Sequence, residues 1–286
     1  MLGAMKKTVD KKDIIKKLLL LQPSDLPVFH EVALRLQQMM NDNSYRIEEA
    51  IKLVNEDTAL ASVMLRHANT TYNSGKAPIT TIKNAIVRLG SQQIVNLAFT
   101  ASMANNKSDN PLINTYFKNL WHHSHAVAIT SSWLAVEIKH DNKSLDINAD
   151  EVYLAGLFHD IGKLYLLKSI DRLYTYGILQ DDDDNLIDDI IDELNIPLGI
   201  RVMQYWNIPE IYINSVGRHS ADNWKSGTND HLVAAVRLSC KIHNYIVQGK
   251  EVTKNSDASE LLKDKLEFLN IDDVGNVYNI VKAITE

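Results

Sequence analysis

Apolar residues recur along this chain at helical rather than strand spacing. Val32, Leu36, Met39 and Met40 predict a first amphipathic helix, and Ile47, Ala50, Ile51 and Val54 predict a second. Asp57 is a suitable N-cap for a third, which carries Leu60, Val63, Met64 and Ala68. Thr80 or Thr81 starts a fourth with Ile82, Ala85, Ile86 and Leu89, and Gly90 stops it at the C′ position. Ser91 opens a fifth through Ile94, Val95 and Ala98. The polar stretch 103–111 reads as a loop and is the best internal boundary. Beyond it the pattern predicts a long helix over 117–136, a polar connection over 139–150 and a helix over 151–167. Shorter helices follow at 187–194, 198–206 and 210–216, then helices at 231–247, 259–269 and 274–285. With strand alternation nearly absent and only 6 Pro and 11 Gly, the fold class is all-α.

Composition narrows the function classes. The 286 residues carry a net charge of −6, which disfavours a nucleic-acid partner because phosphate-binding surfaces usually show a basic excess. Lys6, Lys7, Lys11, Lys12, Lys16 and Lys17 form a basic cluster that reads as the solvated face of a terminal helix in segment 1–21. The acidic run 181–184, followed by Asp188, Asp189, Asp192 and Glu193, lacks the central Gly of a calcium loop and reads as a solvated loop and helix start. Cys240 is the sole cysteine, so no intrachain disulfide forms, which fits a reducing compartment and leads to a cytoplasmic expectation. No apolar run reaches the ~18–20 residues of a membrane span. Nor is there a P-loop, a G-x-G-x-x-G turn or a G-x-S-x-G elbow. Trp121, Trp133, Trp206 and Trp224 read as packing anchors rather than stacking platforms for bases.

The chemistry concentrates in Leu157-Phe158-His159-Asp160-Ile161-Gly162-Lys163. This periodicity puts His159 and Asp160 on adjacent residues of one buried helix. Burying a carboxylate and an imidazole costs several kcal/mol unless each is paired, hydrogen-bonded or metal-bound. The rest of the chain must supply those partners, and of the three histidines at 122, 123 and 125, His122 and His125 fall on other helix faces from His123.

The order His123, His159-Asp160, His219 resembles the HD superfamily of metal-dependent phosphohydrolases, in which a His, a His–Asp pair and a late Asp hold one or two cations. A wider ordered set resembles the HDOD family (HD-related output domain). It comprises Leu26-Pro27, Leu36, Ile51, Glu56-Asp57, Leu60, Leu65, Ala68-Asn69 and Tyr72, then Ile79-Thr80-Thr81-Ile82 and Leu89-Gly90. Leu120-Trp121-His122-His123-Ser124, the His159-Asp160 motif, Trp206-Asn207-Ile208-Pro209 and His219 continue it, over about 22–220 in all.

That resemblance implies an N-terminal helical half (22–112) packed on an HD-like half (113–220), preceded by the 1–21 segment and completed by a helical extension (221–286). It implies a remnant metal site of His123, His159, Asp160 and His219, able to take a single divalent cation (Zn²⁺, Mn²⁺, Mg²⁺ or Fe²⁺). The departures from the full pattern are specific. Asn195 stands where a further His is expected, Ser220 follows His219, and Cys240 falls near the late Asp on a helix that has no Asp or Glu over 232–245. A Gly-Tyr-Pro element of the cyclic-dinucleotide phosphodiesterases is missing after His219. A Cys240 ligand would favour Zn²⁺ over Mg²⁺.

The residues leave three readings of this cluster: a hydrogen-bonded buried polar group that needs no cofactor, which is the one expected, a bound but non-catalytic metal, or a working site. The expected function is a non-catalytic signalling or regulatory module that works through contacts with signalling or regulatory proteins, without a membrane or nucleic-acid partner. The alternative is an HD-type phosphohydrolase acting on a nucleotide or phosphodiester. The chain is too short to hold a receiver domain as well and reads as a stand-alone version. Arg66 and His67, on the predicted helix between Asp57 and Asn69, are the candidate partner surface, since capping accounts for Asp57 and Asn69 but not for them.

Overall fold

A computed structural model of the chain describes residues 10–42, 46–70, 78–141, 143, 145, 147–179, 184–220, 231–253, 256, 262 and 266–285. Among these residues the regular structure is helical and no strand occurs. The N-terminal half comprises α1 (Lys11–Leu20), α2 (Glu31–Asn41), α3 (Ile47–Glu56), α4 (Thr58–Ala68), α5 (Ile82–Leu89) and α6 (Ser91–Ala104). The second half comprises α7 (Pro111–Asp141), α8 (Ala149–Phe158), α9 (Ile161–Thr175), α10 (Asp184–Tyr205), α11 (Glu210–Arg218), α12 (His231–Val247) and α13 (Val274–Thr285).

The predicted punctuation recurs as hydrogen bonds. Asp57 Oδ1 accepts from Leu60 N at 3.0 Å, and Thr81 Oγ1 accepts from Asn84 N. Gly90 takes φ +82°, a left-handed value that favours glycine, and turns the chain from α5 into α6. Asn69 caps α4 and pins it to the entry of α5, exchanging bonds of 2.8 Å with Ile79 O and Ile79 N.

Three expectations are corrected. The long helix runs Pro111–Asp141 rather than 117–136, with Pro at its first turn, where a missing N–H costs nothing. The two short helices expected at 187–194 and 198–206 are one helix, α10. Pro197 lies inside it on the exposed side, where the carbonyl it leaves unbonded can meet water. The single helix expected over 151–167 is two, α8 and α9, broken at His159–Asp160. The predicted 259–269 helix falls largely outside the described residues, as do Lys6, Lys7, Asp181–Asp183 and Trp224.

The two halves share one apolar interior. α6 packs on α8, and Thr100 Oγ1 lies 3.0 Å from Tyr153 OH across that contact. Phe29, Phe99 and Phe158 stack in a triangle with centroids 4.8, 4.9 and 5.1 Å apart, and Phe158 also meets Tyr212 edge-on. Phe158 immediately precedes His159, so this junction abuts the polar cluster. The terminal helix α1 buries Ile14 and Leu18 against the second half, and Lys11 reaches Asp189 and Glu193, joining the basic cluster to the acidic run. Lys12, Lys16 and Lys17 are exposed as expected.

Gly162 sets the closest approach of α9 to α10. A Cβ there would lie 2.7 Å from both the carbonyl carbon and the side-chain Oδ1 of Asn195. Gly162→Ala must therefore push α10 away from α9, and overpacking of this kind costs about 1–3 kcal/mol. The denaturation midpoint of Gly162→Ala should fall accordingly with little change in slope. A midpoint within error of wild type would contradict the packing described.

Candidate metal centre

The break between α8 and α9 creates the site. His159 ends α8, and Asp160 is the N-cap of α9 but makes no side-chain capping bond. Its carboxylate turns inward instead. Oδ2 lies 2.7 Å from Lys163 Nζ, 3.3 Å from His159 Nε2 and 3.5 Å from His123 Nε2. Oδ1 accepts from Asn195 Nδ2 at 3.1 Å and faces His219 Nε2 at 3.4 Å. All four predicted positions, His123, His159, Asp160 and His219, thus converge, carried by α7, the α8–α9 junction and the end of α11.

The second nitrogen of each imidazole is tied down. His159 Nδ1 is 2.7 Å from Gly156 O, and His219 Nδ1 is 2.9 Å from Val216 O. A carbonyl only accepts, so both Nδ1 atoms carry a proton, and the neutral ring of His159 presents its Nε2 lone pair to Asp160. His123 Nδ1 meets His243 Nδ1 at 2.9 Å, and His123 Nε2 meets His159 Nε2 at 3.0 Å. Outer-shell partners of this kind fix ring orientation around metal ions.

Charge states follow from burial. Burial alone would raise the Asp160 carboxyl, but its charged neighbours, Lys163 first, outweigh it and hold it well below the usual carboxylate range. Burial pulls His159 below its usual value and His123 well below, with the His159 ring adding to the effect on His123. Burial also lowers His243 to about 4 and pushes the Cys240 thiol up to about 12. Neutral imidazole lone pairs therefore face a carboxylate. A proton on His123 Nε2 can satisfy only one of these contacts, whereas a cation between them satisfies them together. The donor set of imidazole, carboxylate and thiol fits such an ion: His123, His159 and Cys240 form one candidate group, and His159, Asp160 and His219 an overlapping one.

A cavity of about 650 Å³ opens over this cluster, lined by Tyr116, His122, Lys163, Asp188, Asp192 and His243 among others. His123 is the cluster's edge toward it, its side chain 14% exposed against 0–1% for His159 and Asp160. His125 stacks on Trp121, away from the cluster as expected, while the exposed His122 sits on the cavity wall.

Four contributors carried no role in the sequence reading. Lys163 is one turn after Asp160, and His243 is one turn after Cys240, spacings that face the same way on a helix. Asn195, noted only as a departure, donates to Asp160. Arg237 is fully buried and donates to Arg218 O, holding the end of α11 where His219 sits. A buried Arg in an apolar helix had no periodicity signal to mark it. On α4, Arg66 is exposed, while His67 is half-buried with its ring 3.4 Å from Gln93 Nε2.

The HDOD domain family profile matches residues 26–221. A curated relative, an uncharacterized protein of Treponema pallidum, is 21% identical over 202 residues. That match takes 68% of this chain and 37% of the relative, so the chain spans little more than a third of that protein's length. Among solved structures, a Shewanella amazonensis protein provisionally named a metal-dependent phosphohydrolase matches with TM-score 0.68 and 19% identity, covering 96% of this chain and 99% of that one. An HDOD domain protein of unknown function from Geobacter sulfurreducens matches with TM-score 0.60 and 19% identity, covering 97% and 99%. A Marinobacter aquaeolei protein provisionally named a signal transduction protein matches with TM-score 0.57 and 15% identity, covering 96% and 65%. At these identities the structural likeness is one of fold.

The imidazoles set a pH dependence. His123, His159 and His243 hold protons less readily when folded, so the unfolded chain binds more protons in acid. Stability should be at its plateau above the unfolded value of 6.5 and decline as pH falls toward about 4. Asp160, depressed when folded, contributes fully above its unfolded value of 3.8 and loses that contribution as pH falls below it. Thermal midpoints of metal-free protein at pH 7 and pH 5 should differ by several degrees, the lower at pH 5. Equal midpoints would contradict the burial of neutral imidazoles.

Proposed function

The chain belongs to the HDOD family, and on that premise we propose that it is a regulatory module that holds a single divalent cation at His123, His159 and Asp160 and acts through contacts with other proteins rather than by hydrolysis. The observation that carries this reading is the Asn195 amide at 3.1 Å from Asp160 Oδ1. Two-ion phosphoester hydrolysis needs both sides of a shared carboxylate, and an amide N–H donates but cannot ligate. Oδ1 is thus committed to Asn195, which leaves Oδ2, beside Lys163 and the imidazole pair, for one ion only. When bound, a divalent cation supplies charge that polarises a phosphate oxygen or lowers the pKa of a water. His123 and the His159–Asp160 pair would hold such an ion between α7 and the α8–α9 junction, joining these helices at the site. No helix among the described residues is long and apolar enough to cross a membrane.

A second reading, an HD-type phosphohydrolase acting on a nucleotide or phosphodiester, draws on the cavity above the cluster, where Lys163, His122 and His243 offer donors to an anion. The two are separated by assay. Purified protein should contain about one divalent ion per chain and show no turnover of nucleotides, cyclic dinucleotides or a generic phosphodiester with Mg²⁺, Mn²⁺ or Zn²⁺. Turnover that Asp160→Ala abolishes with the fold intact would establish the hydrolase. In capture experiments from the native host, Arg66→Glu should lose partners. Loss only in a folded His159→Ala would return function to the pocket.

A further inference from the structure

Cys240 lies where it can close the metal centre. It sits on α12 one turn before His243, with Sγ buried and 3.7 Å from His123 Nε2. Its Sγ, His123 Nε2 and His159 Nε2 all lie within 4.8 Å of one another. Together with Asp160 Oδ2 these atoms have edges of 3.0 Å (His123–His159), 3.3 Å (His159–Asp160), 3.5 Å (His123–Asp160) and 3.7 Å (Cys240–His123), with Cys240 Sγ within 4.8 Å of His159 Nε2. A tetrahedral zinc ion with Zn–N of ~2.0 Å and Zn–S of ~2.3 Å has N–N edges of about 3.3 Å and N–S edges of about 3.5 Å. From this match we propose that Cys240 is the fourth ligand of a closed zinc centre formed with His123, His159 and Asp160.

The proposal rests on the reading that a cation occupies this cluster, and adds its identity and coordination. A second observation, independent of the cysteine, points to a ligand. His159 is fully buried with Nδ1 committed to Gly156 O, which aims its Nε2 lone pair into the same space. Asn244 Nδ2 approaches Cys240 Sγ at 3.7 Å, a donor that suits a metal-bound thiolate. One soft sulfur, two imidazoles and one carboxylate select Zn²⁺ over Mg²⁺, which prefers an octahedral oxygen shell. Binding releases the thiol proton to solvent as the Zn–S bond forms. With four protein ligands the ion keeps no open position, which marks a structural rather than a catalytic zinc site.

The test uses the full chain. Zinc should be present near one equivalent after purification without added metal, and X-ray absorption at the zinc edge should show one sulfur at ~2.3 Å. Replacing zinc by Co²⁺ should give intense tetrahedral d–d bands and a sulfur-to-cobalt charge-transfer band in the near ultraviolet. Cys240→Ser should lose that band and bind Zn²⁺ roughly tenfold or more weakly, with its helicity checked by circular dichroism. The absorption measurement on wild type stands even if the variant does not fold. Bound metal without a sulfur neighbour would overturn the role of Cys240 and leave the cation reading intact. Wild type that takes up neither Zn²⁺ nor Co²⁺ would overturn both.

Discussion

A carboxylate sealed from water organises this molecule. Asp160 has 1% exposure, its two oxygens are bonded by Lys163 and Asn195, and three imidazoles from separate elements face them. An isolated carboxylate in such surroundings would cost several kcal/mol, so these neighbours are conditions for the fold as well as for the site. Much of the local architecture makes sense as a way of delivering them. Gly162 lets α10 come close enough for Asn195 to reach Oδ1, and Arg237 fastens the end of α11 where His219 is held.

The site is tied to the N-terminal half through apolar contact. Phe158 precedes His159 and stacks on Phe29 and Phe99, so a shift of the α8–α9 junction would be felt at the start of α2 and along α6. Close-packed aromatic contacts transmit displacement because they have little free volume to absorb it.

Much of this was legible in the sequence because helical periodicity and capping residues are local signals. The bounds of 231–247 and 274–285 match α12 and α13, and Asp57, Thr81 and Gly90 punctuate the chain as expected. The convergence of His123, His159, Asp160 and His219 followed from the ordered motif rather than from spacing alone. What was illegible depended on tertiary context. Periodicity runs straight through His159–Asp160, yet the demand of the carboxylate for partners breaks the helix there. Pro197 suggested a boundary, but an exposed position lets α10 continue. His243 and Arg237 look like ordinary members of an amphipathic helix until the opposing elements are in place.

The central claim is that lone pairs of neutral imidazoles converge on an ionised carboxylate and require a cation between them. Long-range ¹⁵N–¹H correlation spectra of the histidine rings, taken on metal-free and zinc-loaded protein, test it directly. His159 and His219 should carry their protons on Nδ1 in both states, and the Nε2 resonances of His123 and His159 should shift on loading. A proton on Nε2 of His159, or imidazolium signals at neutral pH, would contradict the account.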